Sequence, residues 1–351
     1  MNKFLISTFS IGFIYFYYKL KNNNNIFIFC KNIKKNIDII NKCTLMHNYK
    51  VSTWGKNKHI QILLTFLIPQ KKINYKKEII ILDDEKICLD WNFHNINYPI
   101  IIIIPGLLGD SHGMENLCEL AYNNKYNTVI YNRHCYNNSL QKFYLFGTIE
   151  NFKKILNIIN KRYPNLKLYC IGYSAGTGLI INYLGVLQHE SLLYSAVVIS
   201  PGYDVLDTFK NKKTSKFYNY LLSKKVKNIL NIYKNIFNTI IDYNYLNHLN
   251  CIIDIEEYLY NRFNKNLNVY NVYFKNILPS NHITNIKKPT LFINSIDDPI
   301  CTIHNIPYNT FLSTPHIILL ITRYGSHCGF FDSNLNYWSN QVAIEFFNNI
   351  D

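Results

Sequence analysis

The sequence predicts an α/β protein: a mostly parallel central sheet flanked by helices, with a helical cap inserted between two late strands. Three observations carry that expectation. Short apolar runs bounded by turn residues alternate with longer mixed segments, as βα units do. One run passes through a Gly-x-Ser-x-Gly turn straight into an apolar helix, LYCIGYSAGTGLIINYLG at 168–185. The strand signal then vanishes between 203 and 288, where basic, tyrosine-rich, helix-like sequence takes over.

A chain of 351 residues suits one large domain carrying an insertion. Phe4 to Tyr18 is an uncharged, mostly apolar run between Lys3 and Lys19. It is short of the roughly 20 residues a spanning helix needs, so a thin-membrane anchor, a signal-peptide core and an interfacial helix are all open. No small-x-small cleavage site follows, which favours a single N-terminal membrane anchor. The lysines after it nominally place the body in the cytosol. Residues 19–49, Asn/Lys-rich around a short apolar patch at Ile26 to Phe29, read as linker. The expected organisation is therefore anchor and linker over 1–49, the first part of the core over 50–202, helical cap over 203–288 and the rest of the core over 289–351.

Six apolar runs read as buried strands: Ile100 to Ile104, Thr128 to Asn132, Leu166 to Ile171, Ala196 to Ser200, Thr290 to Asn294 and Ile317 to Thr322. Pro99 precedes the first, where a missing N–H does least harm. Between the second and third, TIENFKKILNIINKRY at 148–163 puts Phe152, Ile155, Ile158 and Ile159 on one helical face, and Pro164 ends it.

Lys and Arg number 37 against 22 Asp and Glu, a net charge of +15 that favours anionic partners. No zinc-finger spacing, RNP-type aromatic motif or basic heptad region accompanies it, so a membrane surface is preferred over nucleic acid. The nine cysteines are odd in number and include no C-x-x-C pair, which argues against a disulfide framework and a structural zinc site.

The chemistry centres on Gly172-Tyr173-Ser174-Ala175-Gly176. Strand before and helix after are what a nucleophile elbow requires: the sharp turn lifts the Ser174 hydroxyl above the sheet, and small residues two before and two after let strand and helix approach. The turn also sets Ser174 at a helix N-terminus, where N–H groups favour a developing oxyanion. A serine needs a base and an orienting acid, in the chain order Ser, Asp/Glu, His. PTLFINS runs into Ile296-Asp297-Asp298-Pro299, and HIILLITRYGS ends at His327, 29 residues after Asp298. Both lie at C-terminal ends of successive strands, where active sites of open parallel sheets gather. Asp298 is preferred to Asp297 because the Asp-Pro step begins the loop, leaving Asp297 as a turn or capping residue. The oxyanion hole then combines the N–H of Ala175 with that of Leu107, in the Pro105-Gly106-Leu107-Leu108-Gly109 turn. These features together describe the α/β-hydrolase fold. Neither an H-x-x-x-x-D string from His327 to Asp332 nor the glycine-rich 172–178 stretch, which lacks a P-loop lysine, competes with that reading.

The ordered series STWGKNKHIQ (52–61), LDDEKICLDW (82–91), IIPGLLGDSH (103–112), YNRH (131–134), GYSAGTGLIINYLG (172–185), SPGYDV (200–205), IDIEEY (253–258), INSIDDPI (293–300) and YGSHCGFFD (324–332) resembles the α/β-hydrolase-domain (ABHD) subfamily of N-terminally anchored serine hydrolases, with the YheT-like esterases. The likeness spans about Val51 to Phe347. It implies Ser174 as nucleophile, Asp298 as acid and His327 as base. It also implies hydrolysis of lipid-like esters such as monoacylglycerols, phospholipids or fatty acyl esters, without metal or organic cofactor. Two positions depart from the family pattern: Arg133-His134 where it has Arg-Gly, and Gly176-Thr177 where it has Gly-Gly. Trp54, His59, Gln61, Asp90 and Trp91, far upstream of the triad, are read as structural. Two other activities are weighed: acyl transfer to an alcohol, and a catalytically idle lipid-binding protein. Oligomeric state, head group and acyl length are left open by the sequence.

Overall fold

In the computed structural model, which describes residues 25–82, 85–133, 144–210, 215–263 and 274–350, one sheet holds nine strands. They are β1 (Ile26–Cys30), β2 (Lys76–Leu82), β3 (Glu85–Asn92), β4 (Ile100–Ile104), β5 (Asn127–Asn132), β6 (Leu168–Tyr173), β7 (Leu193–Ile199), β8 (Thr290–Ser295) and β9 (Ile317–Thr322). Their spatial order is β1-β9-β8-β7-β6-β4-β5-β3-β2. From β5 across to β9 every pairing is parallel, while β3 and β2 at one edge and β1 at the other are antiparallel.

The parallel strands coincide with the six apolar runs, shifted at some ends by two or three residues. Their continuity of apolar residues has a simple cause: both faces are covered. Successive side chains of β4 point to opposite faces. Ile100, Ile102 and Ile104 join the core beneath helices Ile149–Arg162 and Ala175–Leu187, whereas Ile101 and Ile103 join the core beneath Glu115–Asn123 and Trp338–Asn348. Helix Ile149–Arg162 buries Phe152, Ile155 and Ile159 as its periodicity requires, and the Thr148 hydroxyl caps it by accepting from Asn151 N.

The N-terminal boundary differs from the linker expectation. Ile26 to Cys30 form edge strand β1 in register with Thr322 to Ile318, and helix Lys34–Lys42 turns Asn36, Ile39 and Ile40 inward. Phe27 is 1% exposed, and Cys43 and Met46 are fully buried. The apolar patch is five residues long and flanked by Asn and Lys, so averaged composition hid a half-buried strand that only β9 completes. The antiparallel edge strands β2 and β3 went unassigned for a related reason: their outer faces are solvated, and they carry charge. Trp91 there donates to Glu78, which also receives both guanidinium nitrogens of Arg162. That supports the structural reading of Trp91.

Between β7 and β8 the described residues form helices Val205–Lys210, Lys216–Ile232, Lys234–Phe237, Tyr243–His248 and Ile252–Phe263. They enclose a core of their own, including Val226, Leu230, Phe237, Leu246 and Leu259, which continues into Leu107 and Leu108 at the end of β4. Among the described cysteines seven are free thiols, but Cys88 on β3 is disulfide-bonded, a single bridge that an odd set without paired spacings did not announce. The run Phe4 to Tyr18 and His134 lie outside the described residues. Among those described, no helix is long and apolar enough to cross a membrane.

If β1 belongs to the fold, Phe27→Ala removes a buried aromatic ring and lowers the unfolding free energy by about 3–5 kcal/mol in urea titration. A linker residue would change it by less than about 0.5 kcal/mol.

Candidate active site

β6 ends at Tyr173, and the next residue turns the chain sharply into helix Ala175–Leu187. Ser174 has φ 49 and ψ −119, a conformation rarely held by a residue with a side chain. Two absences of side chain permit it. A Cβ at Gly172 would lie 2.5 Å from Ile180 Cδ1, and one at Gly176 would lie 2.5 Å from Ile104 O and 2.6 Å from Pro105 O. The Ser174 N–H donates to Ile199 O at 2.9 Å, fastening the turn to β7.

His327 Nε2 stands 2.7 Å from Ser174 Oγ, and its Nδ1 stands 2.9 Å from Asp298 Oδ2. The other carboxylate oxygen accepts N–H groups from Ile300 at 2.8 Å and Cys301 at 2.9 Å. The carboxylate therefore cannot rotate freely, and the network assigns the proton to Nδ1, leaving Nε2 as acceptor toward the serine. Burial works against protonating His327. The Asp298 carboxylate outweighs it, helped by Cys328 and Cys301, and the imidazole pKa is held well above its ordinary value.

The loop presenting His327 is folded against local preference. Gly325, Ser326, Cys328 and Phe330 all have positive φ, at 142, 55, 61 and 48. Long-range contacts hold it. Asp297 Oδ1 accepts from Ser326 N at 2.8 Å, so this residue braces the histidine loop rather than the histidine itself. Its own pKa is raised, by burial first. Ser200 Oγ accepts from Cys328 N at 3.0 Å. Buried Gln61 accepts from Phe331 N at 2.9 Å and donates to Phe331 O and Gly55 O.

Leu107 and Ala175 both line the cavity that Ser174 enters. A Cβ at Gly106 would meet Ser174 Cβ at 3.5 Å, which places the 105–109 turn directly beside Ser174. Arg133, buried at the end of β5, donates through Nη2 to Pro105 O at 3.0 Å and to Gly106 O. Lys225, reaching down from the cap, donates to Leu107 O at 2.9 Å, and burial lowers its pKa. These carbonyls are thus each engaged by a cation, so the turn is held from two sides.

The cavity lies between the sheet and the helices inserted between β7 and β8. Phe146, Leu179, Val205, Phe209 and Ile277 dominate its walls, and Ser174, Thr177 and Asn182 supply side-chain polar atoms. It can take an extended apolar chain with one polar group at Ser174. Among the described residues Asp298, Cys301 and His327 form a group with potential metal-ligand atoms within 4.8 Å of one another. A soft divalent cation there would displace the proton shared by His327 and Asp298.

Arg133, Ser200 and Lys225 had no assigned part in the site, and Gln61 was read as structural with no stated contact. Three of them stand in stretches of recognised pattern (YNRH, SPGYDV and STWGKNKHIQ), yet their partners are 27 to 270 residues away in the chain. Lys225 had no signal at all in a helix of many lysines.

The sequence matches no protein-family model. It is 25% identical to phospholipase ABHD3 of Homo sapiens, over 81% of this chain and 74% of that one. It is 26% identical to medium-chain fatty acid ethyl ester synthase/esterase 2 of Saccharomyces cerevisiae, over 73% of this chain and 63% of that one. Among solved structures, an esterase of Pyrococcus furiosus superposes over 81% of this chain and 97% of its own, with TM-score 0.53 at 15% identity, a likeness of fold.

Gly176→Ala forces a Cβ against two backbone carbonyls that cannot yield independently. The variant is expected to lose about 1–3 kcal/mol or more in thermal or urea unfolding. Gly178→Ala, two residues along with only Pro279 Cγ nearby at 3.5 Å, is expected to be neutral or stabilising.

Proposed function

We propose that the chain is an ester hydrolase of the ABHD subfamily of α/β-hydrolases, as its relatives support, and that it cleaves carboxylic esters of lipids through a Ser174–His327–Asp298 triad. The observation that carries the reading is the unbroken chain of hydrogen bonds from Asp298 through His327 to Ser174 Oγ, at the floor of an apolar cavity.

His327 Nε2 takes the hydroxyl proton as Ser174 Oγ attacks the ester carbonyl. Negative charge gathers on the carbonyl oxygen, facing the N–H groups of Leu107 and Ala175. The first N–H of a helix has no intrahelical acceptor, so Ala175 is available for this. The proton passes from His327 to the departing alkoxide, which leaves as alcohol. Water, deprotonated by the same imidazole, then attacks the acyl-Ser174 ester and releases the acid. Asp298 stabilises the imidazolium in both halves. The apolar walls take the acyl chain of a monoacylglycerol, phospholipid or simple fatty ester. The +15 charge and the run Phe4 to Tyr18 support an enzyme held at an anionic membrane surface by its N-terminus.

A second reading, acyl transfer to an alcohol, is favoured by the yeast relative, which is a synthase as well as an esterase. An alcohol in place of water in the second half gives an ester product. Product analysis with ethanol or glycerol present separates the two: new ester exceeding free acid supports transfer, and acid alone supports hydrolysis.

Ser174→Ala is expected to abolish fluorophosphonate labelling and to lower lipid ester hydrolysis by at least about 10⁴-fold. Full retention of either sinks the triad. The pH profile is a separate check. His327 works as a base only when neutral, and its pKa is raised. The acid limb of kcat/KM is therefore expected above the ordinary imidazole value of about 6.5. In Asp298→Asn the raising charge is lost while burial stays, so the limb moves to lower pH as the plateau falls by about 10⁴-fold.

A further inference from the structure

We infer that helix Lys58–Leu67 and the first turns of cap helix Lys216–Ile232 form a docking surface for the headgroup and acyl boundary of an anionic membrane, bordering the mouth of the cavity. The inference rests on the reading of that cavity as a lipid ester site.

Helix Lys58–Leu67 (KHIQILLTFL) is amphipathic in an unusual sense. Its buried polar residue, Gln61, faces the protein, while Leu63, Phe66 and Leu67 are 53%, 79% and 61% exposed. These three sit at helical spacing on one face with Ile60. On the cap helix Phe217 is 59% exposed, and Tyr220 and Leu221 also face outward. The two helices are joined: His59 Nδ1 stands 2.7 Å from Tyr218 OH, their rings are parallel, and Ile62 packs beside Tyr218, Ile300 and Cys301. Ile300 and Cys301 in turn line the cavity. The result is two neighbouring helices that each present large apolar side chains to the outside, a grouping that marks an interaction site.

Charge selects the occupant. From Lys50 to Lys77 the chain carries seven lysines and no Asp or Glu, and from Thr208 to Ile241 it carries eight lysines and again no Asp or Glu. Lys71 pairs with Glu119, and Lys210 with Asp254 and Glu257, but Lys58, Lys216 and Lys224, on the two helices themselves, are exposed, and exposed apolar residues interleaved with cations match anionic headgroups over acyl chains. A second copy of the chain would bring two such cationic faces together and be repelled. The path of the chain agrees. Ile26 pairs with Thr322, and Asn25 O accepts from Arg323 N at 2.7 Å, so the 24 residues before it, with the apolar run Phe4 to Tyr18, join the body at the C-terminal end of β9. That is the active-site edge of the sheet, and Tyr324 there lies beneath Lys56.

The test uses the full chain carrying Phe66→Trp and vesicles with brominated acyl chains. With phosphatidylserine vesicles at low salt, the added indole fluorescence is expected to shift to the blue and be quenched several-fold more than with phosphatidylcholine vesicles. In parallel, Leu63→Ser/Phe66→Ser is expected to slow hydrolysis of a vesicle-borne ester about tenfold and leave a soluble short-chain ester unaffected. Sedimentation with vesicles without quenching overturns the patch as the docking surface. Equal quenching by neutral vesicles overturns its anionic selectivity. A self-association without lipid that Leu63→Ser/Phe66→Ser abolishes gives the patch to a second copy instead. Failure of the wild type to cleave the soluble ester is failure of the catalytic reading, and it is seen separately from the quenching.

Discussion

Everything at the site depends on how closely the elbow helix lies against the end of β4. Gly176 meets the carbonyls of Ile104 and Pro105 at distances no Cβ could occupy, and that approach lets Ser174 hold a positive φ. Strain of this kind persists only where the surroundings over-determine it. They do so here: Ser174 N is bonded across to β7, Ile180 fills the space beside Gly172, and both flanking elements are buried. The same close approach brings the 105–109 turn beside Ser174. One steric allowance therefore positions both the hydroxyl and that turn.

The histidine is supplied by different means. Its loop is closed by one backbone hydrogen bond of its own, Phe330 N to Gly325 O, and holds several residues in left-handed conformations, so most of its shape is imposed from outside. Asp297, Ser200 and Gln61 each take one backbone N–H of the loop. Three segments far apart in sequence thus fix one imidazole, much as outer-shell groups fix a metal ligand.

The difference explains what could be read in advance. The six parallel strands, the helix at Ile149–Arg162 and the elbow are local patterns, and each is visible because burial on both faces, or a glycine at a fixed offset, writes itself into consecutive residues. Ser174, Asp298 and His327 were expected from the elbow pattern, the strand ends and the chain order, and the structure brings the three within hydrogen-bond distance. The roles of Arg133, Gln61, Ser200 and Asp297 are pairings between distant segments, and no spacing encodes them. β1 was hidden for the same reason: five residues with a wet outer face become a strand only when β9 offers its edge. The resemblance to known hydrolases marked several of these stretches without saying what any of them touches.

Lys225 joins two parts of the molecule that would otherwise be independent. Its helix begins at the exposed Phe217 and, eight residues or roughly 12 Å further on, places an ammonium on the Leu107 carbonyl. Peptide groups are planar, so fixing that carbonyl also fixes the Leu108 N–H on the other side of the same plane. Leu108 itself adopts φ 50. The turn next to Ser174 thus takes its orientation from the cap as well as from the sheet. A force applied to the outer end of that helix has a stiff lever, two turns long, to the peptide beside the Ser174 hydroxyl.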